Sequence, residues 1–292
     1  MSLLIGTRGS RLALAQAEKV CALLAAEDIE TELVIISTKG DTVTGVPLHE
    51  IGGQGVFVRA LDDAILSGEI DAAVHSMKDI PAKRPDGLVT SAILERDSPA
   101  DFLAHTVPSD EIRVIGTSST RRRAQLLRSN RELDVRQLRG NVDTRLGKLE
   151  SGLYDAIVLA EAGIQRMNLS LDGERMDPEV YVPSPNQGTI AVVSSDKAEV
   201  ADAIQMLDHP STRGDVEAER AVMEAVGGGC FTPQGIYCRN GHLIAEILSL
   251  DGSRSVRIEE EIDSIEKARD CGARLRSEGW DLIREAYEKL GL

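Results

Sequence analysis

The stretch Ile70-Asp71-Ala72-Ala73-Val74-His75 decides the fold. It is a nearly continuous apolar run without polar alternation, the pattern of a strand whose two faces are both covered, as in the parallel sheets of α/β proteins. Upstream, Gly55–Leu66 has helical spacing and Glu32–Ser37 (ELVIIS) reads as a strand. Leu3–Gly6 is a short apolar strand, followed by Ser10 as a helix cap and a helix through Ala26. Ala13, Ala17, Cys21 and Leu24 fall on one face of that helix, so Cys21 is expected in the core. This βαβ rhythm predicts a doubly wound α/β lobe.

The rhythm restarts after Asp97. Arg113–Gly116 is a strand leading through Thr117-Ser118-Ser119-Thr120 into a helix over Arg121–Arg128, and Asp134–Leu138 and Ala156–Leu159 are further strands. Ser67-Gly68-Glu69-Ile70-Asp71-Ala72-Ala73-Val74 is echoed by Ser151-Gly152-Leu153-Tyr154-Asp155-Ala156-Ile157-Val158. Two related lobes would produce this echo, although so short a match also arises by chance. From about Arg213 the pattern changes. Gly235–Arg239, His242–Leu250 and Ser253–Ile262 are separated by Asn240-Gly241 and Asp251-Gly252, strong signals for two-residue hairpin turns. One amphipathic helix from about Ser264 to Leu290 follows, and Asp208–Arg213 reads as the linker to this small α+β domain.

Composition narrows the function. The 292 residues are 42% hydrophobic and 28% charged, which suits a globular chain of two or three domains. A net charge of −15 and 3% aromatic residues argue against a nucleic-acid partner, whose phosphates and bases call for basic and stacking surfaces. No apolar run reaches the ~20 residues that a membrane helix needs. Arg8 and Arg11 interrupt the opening apolar residues before a signal core can form. The four cysteines (Cys21, Cys230, Cys238, Cys271) show neither CxxC nor zinc spacing, so reduced thiols in the cytoplasm and no bound metal are expected.

Three places carry possible chemistry. His75-Ser76-Met77-Lys78-Asp79-Ile80-Pro81 sits at the carboxyl end of the apolar strand, where open α/β sheets bind ligands. Asp79 there is either a charge stabiliser or simply a solvated residue before a proline turn. Gly116-Thr117-Ser118-Ser119-Thr120-Arg121-Arg122-Arg123 places arginines at a helix start, where the dipole disfavours cations unless an anion is bound. Arg139, Arg145 and Arg166 lie near other strand–helix junctions, and their planar forks suit carboxylates. In an acidic protein an anion site is the stronger reading, solvated surface arginines the other. Gly227-Gly228-Gly229-Cys230 leaves a thiol on a loop with little steric cover, either modified or incidental to a hinge. Gly52-Gly53-Gln54-Gly55 lacks the GK[ST] of a phosphate loop, His75 and His105 have no partner at metal spacing, and neither GxSxG nor HExxH occurs.

These stretches, in this order, resemble the porphobilinogen deaminase family. The resemblance is carried by GTRGSRLALAQ from Gly6, TKGD from Thr38, GGQGVF from Gly52, AVHSMKDIP from Ala73 and GTSSTRRRAQL from Gly116. LRGNVDTRLGKL from Leu138, YDAIVLAEAGIQR from Tyr154 and GGGCFTPQG from Gly227 extend it over nearly the whole chain. It implies two doubly wound lobes like those of periplasmic binding proteins, residues 1–96 with 189–209 and residues 97–188, plus a small α+β C-terminal domain, 213–292. It implies a dipyrromethane cofactor attached through a thioether to Cys230 and a catalytic aspartate at Asp79. Cofactor contacts fall on Lys78, Ser76, Thr117, Ser119, Arg121, Arg122 and Arg139, substrate contacts on Arg8, Ser10, Arg145 and Arg166. The implied reaction joins four porphobilinogen molecules head to tail on that primer. Each loses ammonia to give an electron-poor azafulvene, and hydrolysis releases hydroxymethylbilane for porphyrin and heme biosynthesis. A cytoplasmic monomer is expected, with no membrane or nucleic-acid partner.

Three departures stand out. Pro183-Ser184-Pro185-Asn186-Gln187-Gly188 replaces a small-residue PAxGQG stretch, which bears on motion between lobes. Gln54 stands where lysine is usual, and Glu161 where the residue is usually small or apolar. The alternative is a binding protein of the same two-lobed fold without chemistry, which predicts a secretory signal and has no need of a third domain bearing Cys230.

Overall fold

The computed structural model describes residues 2–37, 56–81, 84–227 and 231–291. The chain forms two compact units, Met1–Asp97 with Gly188–Arg213, and Ser98–Gln187 with Gly214–Leu292.

In the first unit, β1 (Leu3–Thr7) pairs in parallel with β2 (Thr31–Ile35) and β3 (Ala72–Ser76). β10 (Ile190–Ser195) is antiparallel to both β3 and β4 (Leu88–Ile93), giving the order β2-β1-β3-β10-β4. α1 (Arg11–Ala26) starts at Ser10, whose hydroxyl accepts from the Ala13 N–H at 3.4 Å. Its Ala17, Val20 and Leu24 pack with Leu3, Ile5, Ala72 and Val74, and α6 (Ala198–Gln205) adds Val200 and Ile204 to the same core. Cys21 sits half-buried at the edge of this cluster, less enclosed than the stripe predicts. Successive strand residues face opposite sides. Gly6 accordingly faces away from α1, and a Cβ there would lie 3.3 Å from Leu61 Cδ2 of α2 (Val56–Ser67). The sheet is therefore wound on both faces.

The second unit repeats the plan. β6 (Val114–Gly116) is parallel to β7 (Asp134–Arg136) and β8 (Ala156–Ala160), while β5 (Asp101–His105) is antiparallel to β8 and β9 (Gly173–Arg175). The order is β7-β6-β8-β5-β9. α3 (Thr120–Ser129) packs through Leu126 on the face of Ile115, Ala156 and Val158. α4 (Val142–Glu150) and α5 (Glu161–Arg166) cover Ile157 and Leu159 on the other face with Leu149 and Ile164. Both sheets are mixed, with parallel and antiparallel neighbours. β5 and β10, each the first strand after a change of unit, run against their neighbours.

The sequence echo has a structural cause. Ile5 registers with Ala72, and Ile115 with Ala156, so β3 and β8 hold the same station. Asp71 Oδ2 accepts from the Leu4 N–H at 2.8 Å, and Asp155 Oδ2 from the Val114 N–H at 2.7 Å. In both lobes an aspartate just before the buried strand fastens the start of its neighbour.

The second unit also holds the antiparallel meander β11 (Gln234–Arg239), β12 (His242–Leu248) and β13 (Ser255–Glu261). α7 (Pro210–Val226), α8 (Ile265–Glu278) and α9 (Trp280–Leu290) pack on it, with Val222, Ile236, Leu243, Ile247, Leu275 and Ile283 among the core residues. Cys238 and Cys271 are buried in this core. Asn240 (φ 52°) and Gly241 (φ 85°) both take left-handed backbone, as the β11–β12 turn predicts. The next turn differs. Only Gly252 has positive φ (68°), and the loop is wider, with Ser249 O accepting from the Gly252 N–H at 2.9 Å and Asp251 accepting from the Ser249 and Ser253 hydroxyls.

Two expectations are corrected. Asp208–Arg213 is not an open linker, because α7 begins at Pro210, where the missing N–H is tolerated. Asp208 accepts from the Ile93 N–H at 2.7 Å and pairs with Arg213 at 2.8 Å. The single C-terminal helix is two, parted at Gly279. A Cβ there would come 2.9 Å from both Ile247 Cδ1 and Leu275 O, so only glycine lets the chain press onto β12.

Candidate functional site

Of the residues singled out from sequence, Arg8, Ser10, Ser76, Lys78 and Asp79 lie in the first unit, and Thr117, Ser119, Arg121, Arg122, Arg139, Arg145 and Arg166 in the second. In the first, β3 ends at Ser76, and a single 3-10 turn, Met77–Asp79, follows. Two bonds hold its base, Gln16 to Ser76 Oγ at 2.9 Å and the Met77 N–H to Thr189 O at 2.9 Å. Met77 and Ile80 are buried, which turns Lys78 and Asp79 outward as exposed residues. Arg8 and Ser10 are half-buried just beyond β1, on the adjacent strand. The structure thus brings Arg8, Ser10, Ser76, Lys78 and Asp79 to the carboxyl ends of neighbouring parallel strands.

His75 lies beneath this surface. Burial first, then the positive charges of Arg84 and Arg8, push its pKa down to about 3, so the ring is neutral at physiological pH. Its Nε2 has no hydrogen-bond partner among the described residues. Arg84 pairs with Asp62 of α2, whose carboxyl is raised by burial despite that pairing.

In the second unit a cluster is built around Asp101, which is 1% exposed at the start of β5. Arg121 Nη1 donates to its Oδ2 at 2.9 Å and Arg122 Nη2 to its Oδ1 at 2.7 Å; Gln187 Nε2 adds a third donor at 2.8 Å. Burial alone would raise this carboxyl, but the two guanidiniums and their hydrogen bonds outweigh it and hold the pKa well below the carboxylate range. Arg121 and Arg122 are 4% and 8% exposed. The anion that the helix-start arginines call for is thus supplied in part by the chain itself.

Arg121 also donates to Gln125 Oε1 at 2.9 Å and Val182 O at 3.0 Å. Gln125 continues to buried Glu246 of β12 at 2.8 Å, which Arg128 reaches at 2.7 Å. Arg122 donates its second arm to Val158 O at 3.0 Å. Around them, Ser119 caps α3 by accepting from the Arg122 N–H at 3.4 Å, and buried Thr117 accepts from the Ser119 N–H at 3.2 Å. Arg145 Nε donates to Gly140 O at 2.8 Å; burial first, then Arg122, lower its pKa, which marks two cations drawn near each other. Arg139 is exposed, and its carbonyl accepts from Lys148 at 3.0 Å. Arg166 closes α5, half-buried. Cys230 and the stretch Gly52-Gly53-Gln54-Gly55 lie outside the described residues.

Sequence reasoning missed Asp101, Gln125, Gln187 and Glu246. Asp101 did carry a signal, since a charge heading a strand as apolar as Phe102-Leu103-Ala104 needs a buried partner. Two departures from the family pattern are also accommodated. Asn186 takes φ 64° where the usual pattern has glycine, and its N–H donates to Glu219 at 2.5 Å. Glu161 accepts from the Ser98 hydroxyl and pairs with Arg175 at 3.2 Å.

Comparison with known proteins identifies the family. The family described as "Porphobilinogen deaminase, dipyromethane cofactor binding domain" matches residues 3–204, and "Porphobilinogen deaminase, C-terminal domain" matches 214–279. A probable porphobilinogen deaminase of Methanosarcina acetivorans is 49% identical over 298 residues, covering 97% of this chain and 94% of that protein. The porphobilinogen deaminase of Nitratidesulfovibrio vulgaris is 39% identical over 300 residues, covering 97% and 92%. Among solved structures, the methionine-binding protein MetQ aligns with a TM-score of 0.45 at 13% identity, over 70% of this chain and 89% of that one. The chain belongs to the porphobilinogen deaminase family, enzymes of the transferase class.

Proposed function

We propose that this chain carries a dipyrromethane primer as a thioether on Cys230 and extends it with porphobilinogen, as a cytoplasmic monomer that binds neither nucleic acid nor membrane. In this reading residues 1–96 with 189–209 and residues 97–188 form the two lobes, and 213–292 supply the cysteine. Among the described residues no helix is long and apolar enough to cross a membrane.

One observation carries the reading. In the second unit the positive charge exceeds the carboxylate bonded to it: Asp101 serves both Arg121 and Arg122, Arg145 stands close to Arg122, and Arg122 Nε is buried with no partner among the described residues. Such a cationic cluster, with a guanidinium nitrogen left without a partner among the described residues, fits a ligand with several carboxylates, and dipyrromethane bears acetate and propionate arms. When bound, that group supplies the free pyrrole α-carbon to which each new unit is joined. Arg121, Arg122, Arg139, Lys78, Ser76, Thr117 and Ser119 bind its side chains. Arg8, Ser10, Arg145 and Arg166 bind the acetate and propionate of the incoming porphobilinogen, which orients it for reaction. Asp79 holds a negative charge beside the pyrrole N–H groups. It stabilises the cation that develops as ammonia departs.

Arg139→Leu is the cleaner arginine test, because Arg139 is exposed and its loss leaves the buried network intact. Titration with porphobilinogen, with the covalent intermediates resolved by mass, is expected to show Arg139→Leu stalling at loading or early elongation. Passage through every stage at the parent's rate would remove Arg139 from the site.

A further inference from the structure

The face of the first sheet that α2 covers holds polar atoms that the fold leaves open. Ala72 and Val74 of β3 and Ile190 and Val192 of β10 belong to the core under α1, so the alternate residues of both strands turn toward α2. His75 is one of these, level with Ala191 of β10. The bond from the Met77 N–H to Thr189 O carries the ladder one step further and puts the Thr189 side chain on the same face. Arg84 is fastened there too, its Nη2 donating to Asp62 Oδ1 of α2. His75 and Thr189 are only 6% and 1% exposed. Yet His75 Nε2, Thr189 Oγ1, Arg84 Nε and Arg84 Nη1 are buried with no hydrogen-bond partner among the described residues. All these residues belong to the first unit.

Buried polar atoms are nearly always hydrogen-bonded, so four left open in one place point to a guest that pairs them. Their chemistry agrees on its kind. A guanidinium only donates, a neutral imidazole offers one N–H, and a hydroxyl donates when it faces an acceptor. Asp62 occupies one guanidinium nitrogen and balances one charge, while Arg8, half-buried two residues past Gly6 on the same face, adds a second positive charge. Burial and the charges of Arg84 and Arg8 keep His75 neutral, so it enters as a donor and not as a further cation. We propose that Arg84, His75 and Thr189 form a site for one carboxylate of acetate size, with Arg84 supplying the charge and the imidazole N–H and the hydroxyl completing its hydrogen bonds. The site lies one residue before Ser76, at the carboxyl end of β3. Its guest is either the acetate arm of a pyrrole held at Lys78 and Asp79, which rests on the proposed activity, or a free small carboxylate.

The test titrates the full-length protein with sodium acetate at pH 7, and with sodium chloride at matched ionic strength, while NMR follows the His75 ring signals, assigned by their loss in His75→Gln. Acetate is expected to give a saturable shift that chloride does not. Arg84→Leu should weaken acetate at least about ten-fold, the scale of a lost charge-assisted hydrogen bond, and Arg84→Lys should recover part of that affinity. Thr189→Val keeps the shape, removes the hydroxyl and should weaken acetate about three-fold; it carries the test if Arg84→Leu fails to fold. The same variants are assayed with porphobilinogen. A KM raised about ten-fold in Arg84→Leu, with kcat within about two-fold of the parent, makes the guest the substrate's own acetate arm. Weakened acetate with an unchanged KM makes it a separate small carboxylate, and both results support the site. No saturable acetate shift in the parent, an equal response to chloride, or undiminished acetate affinity in the variants that fold would overturn it. A parent that does not turn over porphobilinogen would overturn the activity reading instead, and the acetate titration still decides the site.

Discussion

Asp101 and Arg121 form a buried ion pair, Oδ2 to Nη1 at 2.9 Å, in which the carboxylate also serves Arg122 at 2.7 Å. The pair gives the amino end of α3 the negative charge that its dipole and adjacent guanidiniums call for. Removing the charge leaves two buried cations facing each other. Asp101→Asn is expected to destabilise the protein by about 3 kcal/mol in urea titration, the scale of a broken buried pair. A loss below about 1 kcal/mol would show that Gln187 and the carbonyls hold the arginines without it.

The same pair sets an acid limit. The folded pKa of Asp101 is depressed, so its contribution is fully present above the unfolded value of roughly 3.9 and declines as pH falls from there toward the folded value. Asp101→Asn should therefore close its stability gap to the parent below about pH 4. A gap constant from pH 6 to pH 3 would contradict the pairing.

His75 acts in a higher range. Its folded pKa is about 3, while the unfolded ring titrates near 6.5. Below about pH 6.5 the unfolded chain takes up a proton that the folded chain refuses, so stability falls with pH by up to about 1.4 kcal/mol per unit. Urea titrations at pH 7, 6 and 5 should show a shallower decline in His75→Gln than in the parent. Parallel curves would mean that His75 gains a proton-stabilising partner.

Much of this was legible in the sequence, and what was not has a physical cause. The echo of Ser67–Val74 in Ser151–Val158 announced twin lobes because Asp71 and Asp155 do the same work in both, a bond made locally to the adjacent strand. The antiparallel course of β5 and β10 left no local mark, since direction is set by the chain's passage between units and not by strand composition. The arginines of α3 were recognised as needing an anion, but Asp101 lies 20 residues upstream and meets them only in the folded unit. Gly279 sits within a continuous amphipathic pattern, and its break is dictated by contact with Ile247.

Asn186 tests the accommodation of the departure at residues 183–188. Its φ of 64° suits asparagine or glycine and strains other residues. Asn186→Gly should fall within about 0.5 kcal/mol of the parent, and Asn186→Ala should lose about 1–2 kcal/mol. Equal stability of the two variants would place the backbone elsewhere.

Asp79 is exposed on its 3-10 turn, so its side chain contributes little to the fold. Asp79→Asn is expected to change stability by less than about 0.5 kcal/mol and to reduce turnover by a factor on the order of 10²–10³. Near-normal turnover would make Asp79 a solvated surface residue.

Intact mass of the purified protein beside Cys230→Ala tests the central claim most directly. The account predicts an excess of two linked pyrroles on the parent, retained in Cys21→Ala, Cys238→Ala and Cys271→Ala and absent from Cys230→Ala. An unmodified parent, or an excess that persists in Cys230→Ala, would contradict it.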